Sequence, residues 1–355
     1  MRSFTIILFC YSSSHMFAQD TATFKEGARF KFSGYADVYY QYDFNKPLDK
    51  LRPPFLYNFK KHNQVNINLA LLKGTYNYKN IRATLGLMLG NYSKYNLATE
   101  PEFFRHIYEA TIGYVFSGKI SIDAGIFPSH IGSESAIGKD NWNLSRGLLA
   151  ENSPYYETGI KFNYSPNEKW KTYFFILQGW QNIKDHNSSK AIGTQVQFIP
   201  NEDLIINSSA FIGNERPDSA KQLRLFHNFY ITYNISQKFR STFVLDLGAE
   251  RKVDKTGYSN WMGAALLLQY TFSGKFIGGS RFEIYNDRNG VIVSNYLPTQ
   301  FKTTGVSFNL DYYPVEKIVI RGEARSLHSK EKIFIRDNTA VQSNFSLLLS
   351  AAFHF

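Results

Sequence analysis

Apolar and polar positions alternate with a period of two from Arg29 onward, not with the 3.6-residue period of a helix. Between Lys31 and Tyr40, one parity is apolar or small, and the other includes Lys31, Ser33 and Asp37. A second segment places Val65, Ile67, Leu69 and Leu71 on one parity. Successive side chains of a strand point to opposite faces, so the pattern predicts strands with one apolar and one polar face.

Short turns rich in Gly, Pro, Asn and Ser alternate with longer connections along the whole chain. The short turns lie at about residues 78–80, 117–119, 165–168, 200–203, 236–238, 273–275 and 314–317. The longer connections lie at about residues 43–61, 91–104, 128–153, 182–189, 213–223, 253–258, 286–300 and 328–341. This alternation predicts an all-β fold, a transmembrane antiparallel barrel of about 16 strands, with short periplasmic turns and long external loops.

The chain divides into three segments. Residues 1–18 are predicted to be a signal peptide, because Arg2 precedes an apolar core and Met16–Phe17–Ala18 forms a cleavage site. Residues 19–28 form a short mature leader, and residues 29–355 form the barrel. Cys10 is the single cysteine, and Leu8 and Phe9 before it argue against a lipid anchor. The mature chain would therefore lack cysteine, which suits an oxidising compartment and excludes disulfide scaffolds and thiolate metal sites.

Composition narrows the class further. The 355 residues include 31 Phe and 24 Tyr, but the mean hydropathy is only −0.31, and no run of about 20 apolar residues exists. A helical membrane protein is therefore excluded. The formal charge of +11 is compatible with nucleic acid, anionic lipid or anionic solutes. Because the basic residues do not cluster in runs, nucleic acid is discounted.

An aromatic residue precedes almost every short turn on the parity predicted to face lipid. Such residues form interfacial girdles in barrels, although aromatic residues also simply favour strands. The predicted periplasmic girdle comprises Tyr76, Tyr114, Phe116, Tyr164, Phe198, Tyr233, Tyr270, Phe272, Tyr312 and Phe355. The final strand, ending at Phe355, is similar to the signal that the barrel assembly machinery recognises.

The longest loop, between Ser129 and Ser153, is the candidate constriction. In a general porin the third external loop folds into the lumen. Glu134, Asp140 and Arg146 are the predicted polar constriction residues, together with Trp142. The alternative is that Trp142 and Asn143 only anchor the loop and that the charges are solvated.

A strip of charge is predicted on the lumen face of neighbouring strands. Its members are Arg281, Glu283, Arg321, Glu323 and Arg325, extended by Arg82, Lys161 and Arg240. A charge facing lipid at the midplane would cost about 2–4 kcal/mol, so these side chains are expected to face water. Fixed charge tunes ion selectivity, which favours an anion-leaning pore. The alternative is that each Arg pairs with a neighbouring Glu and braces the wall.

Several motifs resemble the OmpL-like family of β-barrel porins. They are Gly132–Ser133–Glu134, Asp140–Asn141–Trp142–Asn143 with Ser145–Arg146, the segment from Pro154 to Gly159, the segment from Arg281 to Asp287, and the segment from Arg321 to Arg325. Gly147 stands where the family pattern tends to continue with a small hydroxyl residue. The resemblance covers most of the mature chain, and it implies a pore without implying a particular solute.

The predicted function is a passive channel for small hydrophilic solutes or ions in the outer membrane of a Gram-negative bacterium, with lipid as surroundings and no cofactor. Catalysis is not expected, because neither His227 nor the pair His130 and Ser133 lies in a nucleophile motif, and no metal-binding spacing exists. The alternatives are a non-conducting surface-binding or adhesin barrel, a barrel lipase and a soluble β-sandwich binder. Small residues predict a homo-oligomer contact on the outer face: Gly278, Ser280, Gly322 and Ala324.

Overall fold

The alternating segments form the strands of a closed antiparallel barrel in the computed structural model, which describes residues 27–294 and 300–355. The barrel strands are β1 (Arg29–Asp43), β2 (Val65–Tyr78), β3 (Ile81–Leu89), β4 (Ile107–Ser117), β5 (Ile120–Pro128), β6 (Tyr156–Asn167), β7 (Trp170–Leu177), β8 (Ala191–Asn201), β9 (Leu204–Asn214), β10 (Leu223–Asn234), β11 (Phe239–Arg251), β12 (Tyr258–Thr271), β13 (Phe276–Asp287), β14 (Phe301–Val315), β15 (Ile318–Ser329) and β18 (Ser343–His354). A separate hairpin joins β16 (Phe334–Arg336) to β17 (Thr339–Val341).

The sheet closes where the last strand, β18, pairs with β1 on one side and with β15 on the other. The seam extends to the end of the chain, because the backbone N–H and carbonyl groups of Gly34 and Phe355 exchange hydrogen bonds of 3.1 Å. The 16 strands and their antiparallel order confirm the predicted fold class. The predicted signal peptide, Cys10 and most of the leader lie outside the described residues.

Connections of two to four residues join the strands at one end of the barrel, called the short-turn end below. The other end carries the eight longer connections, of which loop 1 (residues 44–64), loop 2 (90–106) and loop 3 (129–155) are the longest. The predicted alternation of short and long connections is confirmed.

Helical turns occur only within the long connections of the described chain. Loop 2 contains α1 (Asn91–Asn96) and a 3₁₀ turn (Glu102–His106). Loop 3 contains a 3₁₀ turn (Gly138–Asp140) and α2 (Leu148–Glu151), and a third 3₁₀ turn spans Asp218–Ala220. No helix within residues 27–294 and 300–355 has the length and apolar character needed to cross a bilayer.

Alternation sorts side chains between the outer face and the lumen. On β13, Phe282 is 43% exposed on the outside, whereas Arg281 and Glu283 on either side of it are buried inside. In β2 the prediction of one apolar face is wrong. A bulge opposite Asp37 and Val38 inserts Asn68 as an extra residue, so Val65 and Ile67 are exposed whereas Leu69 and Leu71 are buried.

The predicted girdle residues lie at the short-turn end of their strands, on the outer face. Tyr114, Tyr164, Tyr233 and Phe355, for example, are each at least 43% exposed. A second feature of the outer face is an apolar groove of about 600 Å³ over β14, β15, β18 and β1. Its floor includes Gly322 and Ala324, and its sides include Phe308 and Leu349.

The half of the lumen near the long loops is packed with apolar side chains. Phe55 and Leu56 of loop 1 and Leu149 of loop 3 join a buried cluster with inward rings such as Phe211 and Trp261. A second cluster joins rings from α1, loop 3 and the wall: Tyr92, Tyr108, Tyr155 and Tyr156. The expectation of one polar face on each strand is therefore wrong for β7 and β12, whose inward side chains are mostly apolar and are buried by the inward-folded loops.

Candidate functional site in the barrel lumen

Loop 3 crosses the lumen from β5 and β6 and is held at two regions of the wall. Near its start, Gly132 N–H donates to Asn228 Oδ1 on β10 at 3.2 Å. Farther along, the residues from Gly138 to Leu148 contact β13, β14 and β15. The third long connection therefore lies inside the barrel, as a constriction loop requires.

The charged strip on β13 and β15 binds the backbone of loop 3. Arg281 Nη1 donates to Ser145 O at 2.6 Å, and Arg325 Nη1 donates to Arg146 O at 2.9 Å. The carboxylates receive loop donors in turn. Glu283 accepts from Leu148 N–H and Glu323 from Ser145 N–H, both at 2.6 Å. Charge-assisted hydrogen bonds of this length are among the stronger ones in proteins.

Each Arg of the strip also has a carboxylate partner. Arg325 Nη2 lies 2.6 Å from Glu283 Oε1, and Arg281 lies 3.4–3.5 Å from Glu134, Glu283 and Glu323. Arg321 pairs with Asp311 at 2.8 Å and donates to Gly138 O at 2.6 Å. The side chains of the strip are therefore paired and covered by loop 3, and they present no row of free cations to solvent.

The four predicted constriction residues have different surroundings. Glu134 accepts from Gly147 N–H at 3.0 Å within the loop, and burial raises its pKa although Arg281 acts in the opposite direction. The Arg146 guanidinium stacks 3.8 Å above the Tyr155 ring and is buried. Asp140 is partly exposed and pairs with Lys139 at 2.6 Å.

Trp142 lies where loop 3 meets the short-turn half of the lumen. Its carbonyl accepts from Asn309 Nδ2 at 3.0 Å, and its ring lies 5.3 Å from the Arg240 guanidinium. Asn143 also donates to Asn309 Oδ1, at 2.8 Å. Trp142 and Asn143 therefore both attach loop 3 to Asn309 on β14, as the alternative interpretation expects.

Glycines on the inward parity make room for loop 3. A Cβ added at Gly193 would lie 2.8 Å from the His130 ring, at Gly263 2.8 Å from Leu149, and at Gly279 2.5 Å from Trp142 O. Gly147 is itself crowded, because its Cβ would lie 2.9–3.0 Å from Glu134 and Glu283. The glycine that departs from the family pattern therefore suits the docked loop.

His130 belongs to the site, although the sequence did not predict it as a residue that positions loop 3. Its Nδ1 lies 2.8 Å from Glu157 Oε2, and its Nε2 lies 3.0 Å from Ala210 O. Its own carbonyl accepts from Gln195 and Ser209 on β8 and β9. The signal in the sequence is Gly193, a glycine at an inward-facing position of β8. A glycine there leaves room for another side chain to approach the wall, and that side chain is His130.

The short-turn half of the lumen is a basic vestibule. We define this basic vestibule by its inward-facing charges: Lys73, Arg82, Glu109, Asp123, Lys161, Lys171 and Arg240. Lys73 pairs with Glu109 at 2.6 Å, whereas Arg82 and Lys161 share Asp123 at 2.6 and 3.4 Å. Five cations thus face two carboxylates. Lys73 and Arg82 retain 30% and 24% of their side-chain exposure.

Gly113 explains how Arg82 on β3 reaches Asp123 on β5. The two side chains cross the intervening strand β4 at Gly113, where an added Cβ would lie 2.1 Å from Asp123 Oδ1 and 2.9 Å from Arg82 Nε. A larger residue would block the bidentate pair. The glycine therefore permits the ion pair between strands that are not adjacent.

Loop 3 leaves little free volume against the wall on its β10–β12 side. The cavity lined by Glu134, Ser153, Asn228 and Asp246 measures about 10 Å³, close to the minimum for one water molecule. Above the basic vestibule, the lumen is therefore closed along this wall in the conformation described.

The candidate His227 is separated by the wall from Ser133, and His130 contacts Glu157 and Ala210. Ser133 lines the small cavity inside the lumen, whereas His227 lies on the outer face and contacts Ser208 Oγ at 2.9 Å. In the described part of the chain, no three His, Cys, Asp or Glu side chains are placed to hold a metal ion.

The comparisons with known proteins agree with the fold. Residues 29–355 match the family described as beta-barrel porin-2, OmpL-like. The anion-selective porin from Comamonas acidovorans superposes with a TM-score of 0.63 at 11% identity, covering 93% of this chain and 100% of that one. The outer membrane channel DcaP of Acinetobacter baumannii gives 0.63 at 10% identity, covering 94% and 99%. The trimer form of OmpT from Vibrio cholerae gives 0.63 at 8% identity, covering 93% and 100%. No curated protein sequence matches this chain.

Proposed function

This chain belongs to the beta-barrel porin-2, OmpL-like family, and from that premise we propose that it is a passive diffusion channel for small hydrophilic solutes. The observation that carries the proposal is loop 3, which crosses the lumen next to a basic vestibule whose cations are partly exposed. Family membership implies a bacterial outer membrane. We also propose that residues 1–18 direct export from a Gram-negative cytoplasm, and that the strand ending at Phe355 engages the barrel assembly machinery.

The anion preference of this channel is proposed to come from the basic vestibule and not from the strip on β13–β15. The strip charges are neutralised by carboxylates and covered by loop 3. The basic vestibule carries five cations against two carboxylates, and Lys171 has no carboxylate within 4.0 Å among the described residues. A lumen with such an excess attracts small anions.

Lys171→Glu is expected to shift ion selectivity toward cations. The substitution changes the vestibule charge by two units. A unit charge several ångströms from a passing ion contributes about 0.5–1 kcal/mol in water, so two units shift the energy of the ion by about 1–2 kcal/mol, or about a five- to thirtyfold change in its permeability. The measurement is the reversal potential of the refolded protein in a planar bilayer under a KCl gradient.

Lys252→Glu is the matched control, because it makes the same charge change in an exposed external loop. Stepwise openings with an anion-leaning reversal potential in the parent, reduced only by Lys171→Glu, support both parts of the proposal. Openings that prefer cations in the parent would retain the pore and remove the anion preference.

The packed loops favour a second candidate, a non-conducting surface-binding barrel. Phe55, Leu149 and Tyr155 are buried inside the lumen, and a permanently filled lumen conducts no solute. A well-folded, heat-modifiable barrel that gives no openings in the same bilayer experiment would put this candidate first.

We propose that barrels associate through the apolar groove over β14, β15, β18 and β1. Gly322 and Ala324 allow close approach there between large apolar neighbours. Ala324→Trp should fill the groove and convert an oligomer to monomer in mild detergent, measured by light scattering, while heat modifiability is unchanged. A monomeric parent protein, or an unchanged oligomer in the variant, would contradict the assignment.

A further inference from the structure

Loop 3 is fixed to the wall through a buried histidine whose two ring nitrogens both face acceptors. Nδ1 lies 2.8 Å from the Glu157 carboxylate on β6, and Nε2 lies 3.0 Å from the Ala210 carbonyl on β9. A neutral imidazole carries a single N–H, whereas the imidazolium carries two. The charged form is therefore the one that donates both hydrogen bonds.

The site around His130 is built to hold this ring. Phe175 on β7 stacks on it with a centroid separation of 4.3 Å, and Gly193 on β8 leaves the space that the ring occupies. The carbonyl of His130 accepts from Gln195 Nε2 at 3.0 Å and Ser209 Oγ at 2.9 Å. Among the described groups packed against the ring, Glu157 is the charged one. The other neighbours are uncharged: Phe175 on β7, Gly193 on β8 and the Ala210 carbonyl on β9.

We propose that His130 positions loop 3, and that loss of its proton releases the loop and opens the lumen. The inference rests on the proposed channel function and adds a control of that channel by pH. The following part of loop 3 would then be released as well, since Gly132 is held to β10 next to this anchor.

The direction of the effect follows from linkage. Burial by itself lowers the pKa of His130, but the charge and hydrogen bond of Glu157 and the carbonyl of Ala210 outweigh it, so the pKa is raised. A raised pKa stabilises the docked loop fully below the ordinary value near 6.5, and this contribution is lost as pH rises through the docked-state value. The channel is therefore expected to open toward alkaline pH.

The test measures loop release independently of conductance. In a Cys10→Ser background, Ser153→Cys places a thiol in buried loop 3, and Ser273→Cys places one in an exposed short turn. Both thiols are labelled with a water-soluble thiol reagent, and the rate at position 153 is divided by the rate at position 273. This ratio cancels the pH dependence that is common to thiol labelling at any site. It should rise between about pH 6 and 9, by up to tenfold for each unit by which the docked pKa exceeds its ordinary value.

Variants around His130 distinguish an effect of its protonation from an effect of its packing. His130→Gln should make the labelling ratio independent of pH in this range, and Glu157→Gln should move the transition about 1–2 units lower. Gly193→Ala should raise labelling at every pH, because its Cβ would displace the ring. His227→Gln is the matched control, since that histidine contacts Ser208 on the outer face, and it should leave the profile unchanged.

Conductance in planar bilayers, recorded over the same pH range, completes the experiment. Labelling that rises with pH in the parent but not in His130→Gln supports the anchor, even if no channel conducts, in which case only the proposed function fails. A flat profile in the parent, or an equal rise in His130→Gln, overturns the anchor, even if the channel conducts well.

Discussion

Arg281→Ala is expected to release loop 3 from β13–β15 and to raise the fraction of time that the channel is open. Arg281 is fully buried, donates to Ser145 O at 2.6 Å and lies within 3.5 Å of Glu134, Glu283 and Glu323. Removing it takes away the guanidinium that these three buried carboxylates share. Removing one partner of a buried ion pair costs about 3–5 kcal/mol. This cost lowers the equilibrium constant for binding of loop 3 to the wall by more than about a hundredfold. The measurement is single-channel open probability.

The control for this prediction is Arg288→Ala, which removes an exposed guanidinium from the loop after β13. It should leave open probability and unit conductance unchanged. If Arg281→Ala folds to a heat-modifiable barrel and opens no more often than the parent protein, the strip does not hold loop 3 closed.

Phe243→Arg is expected to destabilise the barrel by about 2–4 kcal/mol, the cost of a basic side chain at the bilayer midplane. Phe243 is 43% exposed on the outer face of β11, four residues from the short-turn end at Phe239. The measurement is the free energy of unfolding in urea, with the fraction of folded barrel read by heat modifiability.

Ala249→Arg makes a basic substitution on the same face of the same strand, close to the long-loop end. The cost there should fall to about 0–1 kcal/mol because the side chain reaches the interface. Equal costs at the two positions would mean that this face of β11 is not in contact with lipid.

The alternation of side chains carried most of the fold information, because it is a local property of a strand. It separated Arg281 and Glu283 from Phe282, and the rhythm of turns predicted 16 strands. It failed at β2, where the bulge at Asn68 reverses the parity. A bulge depends on the partner strand and on side-chain contacts such as that of Asn68 with Asp37, which a period of two does not contain.

The sequence predicted which residue types form the candidate site, but it did not predict what each of these residues does. Charges on an inward parity had to face the lumen, since lipid would exclude them. Whether Arg325 and Glu323 would face water or bind loop 3 depended on a loop more than 170 positions away in the chain, at Ser145 and Arg146. Of the predicted strip, only its extension at Arg82, Lys161 and Arg240 lies in the basic vestibule, to which we assign the proposed anion preference.

The sequence alone determined the barrel, its strand order and the face of most side chains, because period, turn chemistry and the cost of burying charge in lipid act over a few residues. Tertiary structure decided what fills the barrel. The inward path of loop 3, the seat of His130 at Gly193 and the pairing of Arg281 with three carboxylates arise from contacts between distant segments. Such contacts form only when the closed sheet brings those segments together, so no local pattern could specify them.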